Sequence, residues 1–164
     1  LFDLVVNFKD RQDVGFVFVG RGSEMERLRR DAKLKDLENV LFFDQIDPDE
    51  IPSLYKQCYA GMLSLDVRHK THNIPGKFLS YMSAGLPVLA SVNPGNDLIS
   101  LINASSTGRV VNDACIVSFT DAASELIDLI GTDGAEISKN CLDLSHDLFG
   151  PEMAVKQILS SFSA

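Results

Sequence analysis

Apolar residues along this chain come in short blocks that switch between a two-residue and a three-to-four-residue period. Gly15 to Val19 reads GFVFV, a β-branched and aromatic run ending in Gly20-Arg21-Gly22-Ser23, and predicts a strand followed by a turn. From Glu24 to Lys35 the apolar positions Met25, Leu28, Ala32 and Leu34 stand among charges, which predicts a helix with these four on its inward stripe. Val40 to Phe43, Ala60 to Leu65, Pro87 to Ala90 and Arg109 to Val111 predict four more strands. Asp97 to Asn103 predicts a helix, and the tail from Ala122 onward is mostly helical, punctuated by Gly131, Gly134 and Gly150-Pro151. The residues at Leu1 read as the middle of a helix, as if cut from a longer chain.

Two helix starts are marked by their own chemistry. Asp47 is an N-cap residue, Pro48 suits the first helical position, and Asp49 and Glu50 favour the positive end of the helix dipole. Pro75 opens another helix after the polar loop from Asp66 to Ile74. Strands of four to six residues alternating with helices of about ten indicate βαβ units. The expected fold is α/β, a Rossmann-like open parallel sheet with helices on both faces, spanning residues 1–164 as a single domain. Ligands of such sheets collect where strands end and helices begin. Those loops here are Gly20–Ser23, Asp44–Asp47, Asp66–Ile74 and Ser91–Asn96.

Composition narrows the function. The chain is 45% hydrophobic and 23% charged, so it is globular, and its formal net charge of −8 argues against a nucleic-acid partner. Cys58, Cys115 and Cys141 form no C-x-x-C pair and read as small buried hydrophobes in a reducing compartment. No apolar run is long enough to span a bilayer, and no signal peptide is visible.

Against this acidic background, Arg68, His69, Lys70, His72 and Lys77 fall within ten positions with no carboxylate between Arg68 and Lys77. They straddle the loop after the third strand and the first turn of the next helix. A lysine in a first turn opposes the helix dipole, so its place beside Pro75-Gly76 calls for an anion, most simply a phosphate. Gly76 would let that anion approach the backbone. The alternative is a solvated basic loop that offsets the acidic surface.

Other motifs say less. Gly20-Arg21-Gly22 is half of a dinucleotide fingerprint, with Met25 where the third glycine belongs, and it serves equally as a plain turn. The three histidines have no metal-ligand spacing, no D-x-D cluster follows a strand, and neither a G-x-S-x-G elbow nor a P-loop occurs. No metal or cofactor is therefore expected. Tyr55, Tyr59, Phe78 and Tyr81 have helical spacing and read as core. No carboxylate pair stands out, so the catalytic residues are unassigned.

The order of these motifs resembles a known family. Val17 to Glu24, Val40 to Ile46, Lys77 to Ala90 (KFLSYMSAGLPVLA) and Thr107 to Val111 together resemble the C-terminal, nucleotide-sugar-binding domain of GT-B-fold glycosyltransferases. The likeness is to the large retaining group 1 family that builds bacterial polysaccharides and lipopolysaccharide. The resemblance implies that Asn73, Ile74 and Gly76 offer backbone amides to the donor's diphosphate, with Lys77 beside them. It also implies that the nucleotide base rests on Gln45 and Ile46, near the Gly20 and Gly22 turn. The family's two glutamates, one near the donor sugar and one on the ribose, fall at His72 and Ser80 in this sequence. The run P-G-K-x-x-x-Y-x-x-x-G is similar to a surface-polysaccharide subgroup that uses amino- or deoxy-sugar donors.

The function so implied is transfer of a sugar from a UDP-linked donor to a glycan or lipid-linked acceptor. The acceptor-binding N-terminal domain and the family's arginine–lysine pair would precede Leu1, so the fragment alone is expected to be inactive. Its place would be cytoplasmic, at the inner face of the cell membrane, with peripheral membrane contact made through that other half. Alternatives of the same architecture are a sugar-nucleotide epimerase, a phosphorylase or a non-catalytic binding module.

Overall fold

The computed structural model describes residues 1–65, 74–113 and 115–149. They form two compact units, residues 1–53 and 54–164, each taken by itself below.

The first unit begins with helix α1 (Phe2–Asn7), followed by strand β1 (Phe16–Val19), helix α2 (Met25–Leu34) and strand β2 (Val40–Phe43). β1 and β2 pair in parallel, Phe16 opposite Val40 and Val19 opposite Phe43. The core of the unit is small. Leu4 and Val5 of α1 are fully buried, Phe8 meets Phe16 edge-on with ring centroids 6.1 Å apart, and Phe18 stacks on Phe42 at 5.5 Å. The Asn39 amide ties the two ends of the unit together by donating to the Val5 carbonyl at 3.1 Å. Side chains alternate along a strand, and here the alternation is visible. Phe16 and Phe18 face inward, while Val17, Val19, Leu41 and Phe43 stay 37–57% exposed on the other face.

Leu34 corrects the expected stripe on α2, being 84% exposed. Met25, Leu28 and Ala32 follow helical spacing, but Leu34 is only two residues past Ala32 and so lies about 200° further round the helix. The Asp47 start is as expected: its carboxylate accepts from the Asp49 N–H at 3.0 Å and Glu50 reaches back to the Asp47 N–H at 3.2 Å, a complete capping box. It opens a single 3-10 turn (Pro48–Glu50), which continues as helix α3 (Ile51–Tyr55).

The second unit carries strands β3 (Gly61–Ser64), β4 (Val88–Ser91) and β5 (Gly108–Val111), all parallel in the order β3-β4-β5. Helix α4 (Gly76–Ser83) joins β3 to β4 and α5 (Asp97–Ser105) joins β4 to β5, giving two successive βαβ steps. Helix α6 (Ile116–Phe149) follows, kinked where Asp133 leaves the helical region at φ −127° and ψ 23°. It packs against α4 and β5. Leu63, Phe78, Met82, Val88, Ala90, Val92, Leu98, Ile102, Ile137 and Cys141 make one continuous core. β4 lies between its two partners and is buried along its length, as a central parallel strand should be. β5 approaches it so closely that a Cβ on Gly108 would run into the Val88 carbonyl oxygen.

Two expectations about side chains change here. Tyr59 is 80% exposed, because α3 ends at Tyr55 and the helical spacing that linked the two does not continue. Of the three cysteines only Cys141 is buried; Cys58 is half-buried and Cys115 is exposed.

Candidate functional site

The start of α4 is built by what lies on either side of it. Upstream, Ile74 packs its side chain partly against the core, and Pro75 takes an extended conformation (φ −66°, ψ 140°) as the N-cap residue. Proline supplies no side-chain acceptor, and no side chain caps the helix. The Phe78 N–H finds the Pro75 carbonyl at 2.9 Å, while the Gly76 and Lys77 N–H groups have no partner among the described residues. The first turn therefore keeps unpaired donors at the positive end of the helix dipole. No acidic residue stands in this turn, and Gly76 and Lys77 are both exposed. A Cβ placed on Gly76 would meet nothing within 4 Å, so the glycine is not demanded by the protein's own packing.

Downstream, the helix is held hard. Phe78 and Met82 are fully buried, and the Tyr81 hydroxyl donates to the Met62 carbonyl at 3.3 Å. The Tyr81 ring stands edge-on to Tyr55 at 5.3 Å and lies over Gly61, where any Cβ would come within 2.5 Å of it. Burial is the main reason the Tyr81 phenol is pushed up to about 12, with Tyr55 and Cys58 adding to it. The far end closes on Gly85 in the left-handed region (φ +67°). Its N–H donates to the Met82 carbonyl at 3.0 Å and the Leu86 N–H to the Tyr81 carbonyl at 2.9 Å, a Schellman motif. Ser83 and Ser145 share a hydrogen bond of 2.8 Å that fastens α4 to α6. The donor-rich first turn is thus mounted on a rigid element.

Ser80 sits one turn into the same helix. Its hydroxyl donates to the Gly76 carbonyl at 3.1 Å, so toward an outside group it has lone pairs to offer rather than a proton. His72 and Asn73, with the basic residues Arg68, His69 and Lys70, lie outside the described residues.

The remaining predicted residues belong to the first unit. Gly20 ends β1 and donates its N–H to the Phe43 carbonyl at 3.2 Å, which brings the glycine turn and the end of β2 side by side. Gly22 accepts from the Met25 N–H at 3.2 Å and so starts α2. No Cβ clash accompanies either glycine. Gln45 is exposed and Ile46 partly buried, immediately before the Asp47 capping box. Gly20, Gly22, Gln45 and Ile46 thus gather at one end of the β1–β2 pair. Ile74, Gly76, Lys77 and Ser80 gather at the start of α4 in the second unit.

One chemically distinctive residue was misread in the sequence. Cys115 precedes α6, and its Sγ is exposed beside the Ser118 and Val117 N–H groups, which lower the thiol pKa. Asp113 orders this turn, accepting from the Cys115 N–H at 3.0 Å and from the Ser118 hydroxyl at 2.6 Å. The spacing Asp113-x-x-x-x-Ser118 ahead of an apolar run was the available signal.

Among the described residues no cluster of three or more His, Cys, Asp or Glu side chains could hold a metal. None of their helices is long and apolar enough to cross a membrane.

Parallel strands joined by helices, with a helix N-terminus left open at the end of a strand, define a Rossmann-like α/β protein of the GT-B type. The family model described as glycosyl transferases group 1 matches residues 2–129, and the chain belongs to that family. It is a transferase domain of the glycosyl-transfer class. A search of curated proteins returned no match.

Proposed function

We propose that this chain is the donor-binding half of a retaining glycosyltransferase that uses a UDP-linked sugar. In this reading it passes the glycosyl group to a glycan or lipid-linked acceptor in bacterial surface-polysaccharide synthesis. The supporting observation is the start of α4: a first turn with no side-chain cap, whose Gly76 and Lys77 N–H groups have no partner among the described residues, with an exposed lysine and no carboxylate. These are the properties of a phosphate cradle.

The chemistry asked of that cradle is electrostatic. As the bond from the anomeric carbon to the phosphate oxygen breaks, the electron pair leaves with the nucleoside diphosphate, and a new bond forms to the acceptor oxygen, which loses its proton. Donors aimed at the leaving diphosphate from a rigid helix lower that barrier without reorganising. Lys77 adds a charge-assisted contact. By resemblance, Asn73, Ile74 and Gly76 contribute the amide side of the cradle and His72 lies toward the donor sugar. Ser80 accepts from a ribose hydroxyl, and Gln45 and Ile46, with the Gly20–Gly22 turn, are the base-contacting positions. An acceptor-binding half and a site at the inner face of the cell membrane complete this reading.

The test is titration with UDP, UDP-sugars and GDP as control, followed by calorimetry and amide chemical shifts. UDP should bind weakly but preferentially and shift the Gly76 and Lys77 amides. Lys77→Ala should weaken binding by about 5–10-fold with an unchanged melting temperature, in line with a single charge-assisted contact. Added salt should weaken it further. Equal binding by Lys77→Ala, or no response to any nucleotide, would defeat the reading. Release of an epimerised free donor in product analysis would replace transfer with epimerisation.

A further inference from the structure

We propose that Ser80 makes the donor site nearly indifferent to the ribose 2′-hydroxyl, so that sugars carried on 2′-deoxynucleoside diphosphates are taken alongside their ribose counterparts. This rests on the donor-site reading and deepens it, naming the class of nucleotide the site accepts.

No carboxylate stands anywhere in α4, whose sequence is GKFLSYMS. Most of its hydroxyl groups are spent inside the protein. Tyr81 donates to the Met62 carbonyl, and Ser83 shares a bond with Ser145. Ser80 is exposed, and it is the side-chain acceptor that α4 offers closest to its open first turn. It lies four residues past Gly76, about 6 Å along the helix axis. Its side chain turns back toward that first turn, donating to the Gly76 carbonyl at 3.1 Å. A nucleoside diphosphate anchored on the Gly76 and Lys77 amides brings its ribose hydroxyls to this height.

Two properties of this acceptor keep discrimination small. With its proton committed to Gly76, Ser80 offers a ribose hydroxyl only neutral lone pairs, without the charge that makes a carboxylate's hydrogen bonds roughly twice as strong. Its exposure matters as much. A site rejects an analogue lacking a hydroxyl by several powers of ten when a buried partner is left unpaired. Here the lone pairs of Ser80 return to water when the hydroxyl is missing, and its proton keeps the Gly76 carbonyl. The loss is one neutral hydrogen bond, worth less than about tenfold in affinity. The 3′-hydroxyl that a 2′-deoxyribose retains can take the same lone pairs, which reduces the loss further.

UDP and dUDP differ only in the 2′-hydroxyl, so titrating the chain with each isolates it, with calorimetry for affinity and the Gly76 and Lys77 amide shifts to place the ligand. The two dissociation constants should agree within about 3-fold. Ser80→Glu then puts a carboxylate at the same exposed helical position, which glutamate suits. Its repulsion of the diphosphate is common to both nucleotides and cancels in their ratio. That ratio should move to about 10-fold or more in favour of UDP. A preference of the unaltered chain for UDP above about 10-fold would overturn the proposal. So would a ratio that Ser80→Glu leaves unchanged at an unchanged melting temperature; if that variant does not fold, the ratio in the unaltered chain decides alone. Binding of UDP with rejection of dUDP leaves the donor-site reading standing and removes only this inference, whereas failure of both nucleotides to bind defeats the two together.

Discussion

Replacing Gly85 by alanine tests whether the mounting of α4 is understood. Gly85 ends the helix at φ +67°, and a Cβ there would lie 2.7 Å from the Ser138 Oγ, 3.3 Å from the Leu142 Cγ and 3.4 Å from the Ser138 carbonyl oxygen. The left-handed conformation costs a residue with a Cβ about 1–2 kcal/mol. Crowding a packed helix junction adds about 1–3 kcal/mol, reduced here because the Ser138 hydroxyl can rotate away. The sum is a loss of about 2–4 kcal/mol, which for a chain of this length lowers the melting temperature by roughly 5–15 °C. Urea unfolding at constant slope measures the free energy directly. Gly85→Ala combined with Ser138→Ala separates the two causes. The double variant should recover the part due to the Ser138 hydroxyl and retain at least about 1 kcal/mol, from backbone strain and the remaining Leu142 and Ser138 carbonyl contacts. A Gly85→Ala loss below about 0.5 kcal/mol would refute the assignment of Gly85 as the strained cap of α4.

Two further outcomes follow from single side chains. Ultraviolet titration should show one tyrosine ionising only near pH 12, lost in Tyr81→Phe; because that pKa is raised on folding, the stability it reports is full below pH 10 and declines from pH 10 to 12. If all tyrosines titrate together near 10, the buried packing of Tyr81 against Tyr55 and Gly61 is wrong. Iodoacetamide should label Cys115 first and Cys141 last. The Cys115 rate should rise at lower pH than that of a free thiol, since N–H donors favour its thiolate, whereas burial pushes the Cys141 thiol up to about 12. Peptide mapping after brief labelling checks the order, and preferential labelling of Cys58 or Cys141 would contradict it.

Strands were the most legible part of the sequence. The five strands of the described residues fall within a residue or two of the apolar runs that announce them, because strands of parallel sheets carry apolar side chains on both faces and read as near-continuous hydrophobic segments. Helix starts written in local chemistry were equally plain: Asp47-Pro48 forms its capping box and Pro75 stands at the N-cap of α4. The start of α6 at Ile116, six residues before the predicted Ala122, was hidden. Ile116, Val117 and Thr120 are β-branched, and the turn that launches them is ordered by Asp113 and Ser118 side chains.

What the sequence alone determined is the class of protein and the order of its elements, since hydrophobic period, turn residues and caps are local properties that each short segment carries with it. What only the tertiary structure decided is where particular side chains end up. Leu34 is apolar yet exposed, Tyr59 falls beyond the end of its helix, and Cys115 reaches solvent while Cys141 is sealed in the core, its thiol against the Thr107 carbonyl. The Ser80 hydroxyl is committed to Gly76, and among the described residues β1 takes β2 as its ladder partner. Burial and hydrogen-bond partnership are set by groups distant in the chain, and no local pattern encodes a neighbour that only folding supplies.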